Sequence, residues 1–170
     1  MRAGKNANSA ILVQIPRSDF DQGHPLDGFQ FQKKLEQLGY HEGFAAPAQN
    51  IKDYLNRIPS DKLVIQTSYP RSTVMQDMHA FFSDEVNQAM EEGMKQFDKK
   101  IHGWIENGIM VGLETRSSSP IKILRNDDGN SSTIQGLYPC GEGAGYAGGI
   151  VSSAVDGIKQ AENYIAHLNR

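Results

Sequence analysis

Residues 136–157 read GLYPCGEGAGYAGGIVSSAVDG, seven glycines set between a short apolar run and a long stretch with helical spacing. Glycine loses more backbone freedom on folding than any other residue. Such a concentration therefore marks a place where the chain turns in ways that side chains forbid, or where something must approach the main chain closely. Gly143, Gly145 and Gly148 match the G-x-G-x-x-G spacing between a predicted strand and a predicted helix. In that context the main chain meets a ligand with no Cβ in the way, and the helix start offers unpaired N–H groups to an anion or a polar carbonyl edge. A tight strand-to-helix connection needs glycines for geometry alone, and spacing does not separate the two readings. A complete dinucleotide-binding unit also needs a following strand with an acidic residue about 20 positions on. Here one helix follows and the sequence stops. The expectation is that this strand and helix complete a sheet begun earlier in the chain or in a region before it. The start at Met1, which runs through RAGKNAN into strand-like SAILVQI, favours the second.

Elsewhere hydrophobic spacing sets out the elements. Ser9 to Ile15 is β-rich and ends at Pro16, whose missing N–H suits a strand terminus. Pro25 to Leu38 predicts a helix with Phe31, Leu35 and Leu38 on one face and Gly39 after its end. GFAAPAQNI reads as extended, KDYLNRI as one helical turn, and Thr73 to Phe82 as a short helix. Ser83 offers a cap for a longer helix from Asp84 to about Ile101, with Val86, Met90, Met94, Phe97 and Ile101 recurring every three or four residues. Three strand-like segments follow, GIMVGLETR, IKILR and STIQGLYPC, the last two joined by the turn-rich NDDGNS. A final helix from near Ala147 to about His167 carries a broad apolar face of Ile150, Val151, Val155, Ile158, Ile165 and Leu168. The class is α/β in the mixed, α+β sense.

Composition excludes several functions. With 38% hydrophobic and 22% charged residues the 170-residue chain is globular. A formal charge of −3 and no basic stripe argue against nucleic acid. The longest apolar run, Ala10 to Val13, is far short of a membrane span, so a cytoplasmic protein is expected. The five histidines show no metal-ligand spacing, and no metal site is expected. Cys140, the single cysteine, has no C-x-x-C partner and reads as a buried strand residue.

Taken in order, ANSAILVQI, HPLDGFQFQKKLE, APAQNIKDYL, VGLETRSSSPIKILR and GLYPCGEGAGYAGGIVSSAVDGI resemble the C-terminal region of a group of bacterial FAD-dependent dehydrogenases. The resemblance covers nearly the whole chain. In that group, as in glutathione-reductase-like flavoproteins, a dinucleotide-binding βαβ comes first, a substrate or cap domain follows, and a last strand and helix return to the flavin domain. The resemblance therefore implies a cap or substrate domain over 1–133 and a flavin-domain strand and helix over 134–170. It implies FAD as cofactor, contacted by Gly141, Glu142, Gly143, Gly145, Ala147, Gly148, Gly149 and Ile150, with Glu142 against the ribityl hydroxyls and the helix start facing the flavin ring. The fingerprint that grips the pyrophosphate is absent from these residues. The implied partners are thus a missing N-terminal FAD-binding region and a small-molecule substrate, and the chain alone is expected to hold FAD weakly or not at all.

In ETRSSSP, Arg116 and Ser117 are candidate substrate-binding residues, since a guanidinium donates two parallel hydrogen bonds to an anionic group or a flavin carbonyl. A polar turn explains the same residues. Gly157, inside the last helix, predicts close packing against a sheet, and Asp156 beside it carries no catalytic assignment. No catalytic acid or base is assigned. Two other classes stay open: a stand-alone anion- or nucleotide-binding module without redox chemistry, and a structural interaction domain.

Overall fold

The centre of the sheet is β1 (Ala46–Asn50), every residue of which is buried. In the computed structural model, which describes residues 4–169, β1 lies between β2 (Thr73–Met75) and β3 (Ile109–Val111) in the order β2-β1-β3. β2 runs parallel to it, pairing Ala46 with Thr73 and Ala48 with Met75, while β3 runs antiparallel, pairing Ala48 with Val111 and Asn50 with Ile109. Pro47 is tolerated in this central strand because it sits where the β3 ladder ends and only its carbonyl is used, accepting from the Gly112 N–H at 3.1 Å. The mixed α/β class follows from this sheet and the five α-helices assigned among the described residues.

The chain divides into two compact units. The first comprises the chain up to Asp19 together with Lys34–Glu114. Its core joins Ile51 and Tyr54 of α2 (Ile51–Leu55), Met78 and Phe81 of a 3-10 turn, and Met90 and Met94 of α3 (Asp84–Lys100). As the sequence predicts, the Ser83 hydroxyl caps α3, accepting from the Val86 N–H at 3.4 Å. Gln49 and Tyr54 bring polar groups into this core and pair them. The Gln49 carboxamide donates to the Ile58 carbonyl and accepts from the Met78 N–H, and the Tyr54 hydroxyl donates to Asn87 Oδ1 at 2.7 Å. The Tyr54 ring stacks on His79 with centroids 4.0 Å apart, and burial pushes its phenol well above the usual tyrosine range. Burial also raises the Glu91 carboxyl, but hydrogen bonds from His79 and Arg57 outweigh it and hold the group below its ordinary value.

The second unit comprises Phe20–Lys33 together with the chain from Thr115 onward. α1 (Asp27–Leu38) gives its residues up to Lys33 to this unit and the remainder to the first. Its Gly28 is required by close approach: a Cβ there would lie 2.9 Å from Pro120 Cβ and 3.1 Å from the Phe20 ring. The unit's longest element is α5 (Ile150–Leu168). A short α4 (Trp104–Asn107) precedes β3 in the first unit.

Several predicted strands do not form. Ser9 to Ile15 alternates inward and outward as a strand does, with Ile11 and Val13 packed on the first core, yet it joins no ladder. Thr73 to Phe82 divides into β2 and a 3-10 turn (Met78–Phe81) instead of forming a helix. IKILR and STIQGLYPC reduce to one bridge between Arg125 and Ser131, around a turn in which Asn126 N–H donates to the Asn130 carbonyl at 2.8 Å. The turn chemistry was readable; the strands lack neighbours, because a strand is an arrangement of paired backbones and cannot be satisfied by its own residues. Cys140 is correspondingly exposed, not buried in a strand. Gly157 has open space where its side chain would be, so packing against a sheet does not explain it.

Candidate functional site

The glycine loop and the start of α5 form the candidate site, all within the second unit. Gly141 and Gly145 adopt φ of +71° and +80°, conformations that residues with a Cβ reach only at a cost. A Cβ on Gly145 would collide with the Ile121 carbonyl oxygen and stand 3.0 Å from Lys122 Cα, so the loop needs this glycine to lie against the 121–125 segment. Ile123 N–H donates to the Ala144 carbonyl at 3.1 Å and the Ser119 hydroxyl to the Gly143 carbonyl at 3.2 Å, which fixes that contact. Gly143 and Gly148 differ: both are exposed, and nothing stands within 4 Å of where a Cβ would be. Nothing among the described residues requires their lack of a side chain.

α5 begins at the extended Gly149, which has no side chain with which to cap it. Ser152 reaches back instead, its Oγ accepting from the Gly149 N–H at 3.1 Å and donating to the Gly149 carbonyl at 3.0 Å. The N–H groups of the first helical turn are left directed outward, at the positive end of the helix dipole. Ile150, first in the helix, is 94% exposed, and Val151 is 75% exposed. Glu142 is exposed, and Ala147 is half-buried.

Beneath the loop lies a pairing that sequence reasoning missed. Asp156 accepts two hydrogen bonds from Arg125, at 2.7 and 3.0 Å, and one from the Gly141 N–H at 2.8 Å. The Arg125 hydrogen bonds, then that of Gly141, hold the Asp156 carboxyl at about 2, and the bond to Asp156 in turn raises the Arg125 guanidinium. One signal pointed there. Side chains of a helix lean toward its N-terminus, so an aspartate in the second turn of α5 leans toward the loop that feeds it.

Arg116 and Ser117 are exposed. The Arg116 guanidinium stands 5.9 Å from the Phe29 ring centroid, a cation–π arrangement within the second unit. The hydrogen bond from this segment to the glycine loop is made by Ser119, two residues beyond Ser117. The predicted apolar face of α5 is present but uncovered: Ile158 is 60% exposed, and Val155, Ile165 and Leu168 are exposed too. The buried residue of the helix is polar, Gln160. Among the described residues no cluster of three or more His, Cys, Asp or Glu side chains could hold a metal ion, and no helix is long and apolar enough to cross a membrane.

Residues 1–117 match a family model described as FAD-dependent protein, C-terminal domain-like. An uncharacterised protein of Clostridium beijerinckii is 42% identical over 165 residues, which cover 94% of this chain and 31% of the relative. The part of this chain outside that match is too short to reach from the terminus to the glycine loop, so the loop falls inside it. The chain spans about a third of the length of that relative.

Proposed function

Because the chain belongs to the family of FAD-dependent protein, C-terminal domain-like sequences, we propose that it is the C-terminal part of a cytoplasmic, bacterial flavoprotein dehydrogenase with the glutathione-reductase-like arrangement. In this reading residues 1–133 form the cap or substrate domain, and 134–170 complete the flavin domain. The bonds from Ser119 and Ile123 tie the end of the cap part to the glycine loop. The partner would be a missing N-terminal flavin-binding region, for which the uncovered length of the relative leaves room, and the substrate a small molecule.

One observation carries the reading. An apolar helix face stands exposed immediately after a loop in which a side chain at Gly143 or Gly148 would meet only open space among the described residues. Burying each such aliphatic side chain is worth about 1.5–3 kcal/mol, so a helix patterned this way is built to be covered. Exposed glycines beside an uncapped helix start suit a planar, polar-edged ring such as a flavin, because the main chain is approachable there without steric cost.

FAD, when bound, supplies acceptance and release of an electron pair. This chain's residues would do the rest. The first-turn N–H groups of α5 would donate to the polar edge of the ring and, with the helix dipole, favour negative charge there. The Glu142 carboxylate would accept from the ribityl hydroxyls. Arg116 would hold an anionic group of the substrate, with Ser117 donating beside it. Ile150 and Val151 would exclude water from the ring.

The test is a chimaera in which this chain replaces the aligned segment of the Clostridium beijerinckii relative. The purified chimaera should be yellow with retained FAD, whereas the 170-residue chain incubated with FAD should come through gel filtration colourless. Gly148→Val in the chimaera should reduce flavin retention while leaving the melting temperature of the short chain unchanged. Full flavin retention by the Gly148→Val chimaera would assign the exposed glycines to something other than flavin contact.

A further inference from the structure

Four residues distant in sequence close a ring of interactions under the glycine loop. Besides its bonds to Asp156, the Arg125 guanidinium donates to the Pro139 carbonyl at 2.8 Å and lies 3.6 Å from the Tyr146 ring centroid. Tyr146 makes two hydrogen bonds here, one with Arg125 and one with Gly141. Its hydroxyl accepts the Arg125 N–H at 3.1 Å, and its own N–H donates to the Gly141 carbonyl at 3.1 Å. Asp156 and Arg125 expose only 13% and 16% of their side chains, so water competes little for these bonds.

We propose that Asp156 and Arg125 are a positioning pair that locks the glycine loop to α5, so that the loop and the helix start meet their ligand as one rigid piece. The proposal rests on the flavin reading for the identity of that ligand. A loop of glycines is the least ordered segment a chain can offer, and a binding surface made from it must be held. Here it is held at both ends. Asp156 grips the first glycine, Gly141, and Ser152 grips the last, Gly149. Both grips come from α5, so any displacement of the helix carries the loop with it. Between them the exposed faces of Gly143 and Gly148 stay free for the ligand. Neither residue of the pair needs to touch the flavin; Asp156 acts through Gly141, and Arg125 through Asp156 and Pro139.

Amide hydrogen exchange on the 170-residue chain tests the lock without any cofactor. Asp156→Asn keeps the shape but loses the charge, and amides of 141–146 should exchange about tenfold faster while α3 in the first unit is unchanged. Arg125→Lys, which keeps the charge but not the two-pronged contact, should show the same pattern to a smaller degree. Unchanged exchange at 141–146, or an equal rise in α3, would overturn the proposal. In the FAD-loaded chimaera Asp156→Asn should shift the flavin absorption bands, and Asp156→Glu should move them back toward wild type. A flavin spectrum indifferent to Asp156→Asn, with the loop loosened, would make the pair structural only and reject its positioning role. A wild-type chimaera that binds no FAD would remove the flavin reading and the ligand-facing half of this proposal, and exchange would still decide whether the lock exists.

Discussion

Asp156 is the residue on which pH acts most directly. Its folded-state value of about 2 lies below the roughly 3.9 of an unfolded aspartate, so it contributes stability that is present above pH 4 and is lost as pH falls toward 2. The shift corresponds to about 2.5 kcal/mol. Thermal or urea unfolding of wild type and Asp156→Asn should therefore differ by about that amount at neutral pH, with the gap closing between pH 4 and pH 2. A gap independent of pH would deny the ion pair its role. The glycines divide at the same scale. Gly145→Ala forces a Cβ into the Ile121 carbonyl at a positive φ and should cost about 1–3 kcal/mol, whereas Gly148→Ala, opening onto free space, should leave the melting temperature nearly unchanged. The sequence marked all of these glycines alike, because spacing records where a side chain is missing and not whether the chain itself or a ligand fills the gap. It left Arg125 unmarked, since its partner lies 31 residues away and no local pattern links them.

At the scale of elements, α3 shows what local chemistry can specify. Its cap and its acidic start were legible, and of its apolar stripe Met90 and Met94 are buried while Phe97 and Ile101 stand exposed; Met94, fully buried, marks the strength of its packing. Met94→Ala should cost about 2–5 kcal/mol in urea unfolding; a cost under 1 kcal/mol would mean that the site collapses around the gap. α1, α3 and α5 were read well because a helix closes its hydrogen bonds within the segment, whereas the helix expected over Thr73 to Phe82 gave way to β2 and a 3-10 turn. Strands were read less well, because their hydrogen bonds close elsewhere. Ile11 and Val13 alternate correctly and reach the core without a ladder, and the apolar residues of 121–125 and 134–138 specify burial or extension but not a partner. β1 succeeded where they did not because Thr73–Met75 and Ile109–Val111 supply both neighbours.

For the whole molecule, the helical periodicity of α5 was predicted and its exposure was not, since amphipathicity states that a face is to be covered without stating by what. The family membership, the 31% share of the relative's length and the bare face of α5 fit together if a flavin-binding region covers that face. The account is tested most directly by charging the face: Val151→Lys with Ile158→Lys, in the 170-residue chain and in the chimaera. The short chain, where both side chains are largely exposed, should keep its unfolding free energy within about 0.5 kcal/mol per site, and the chimaera should lose its bound FAD. Undiminished flavin in the doubly substituted chimaera, or a short chain that unfolds, would contradict it.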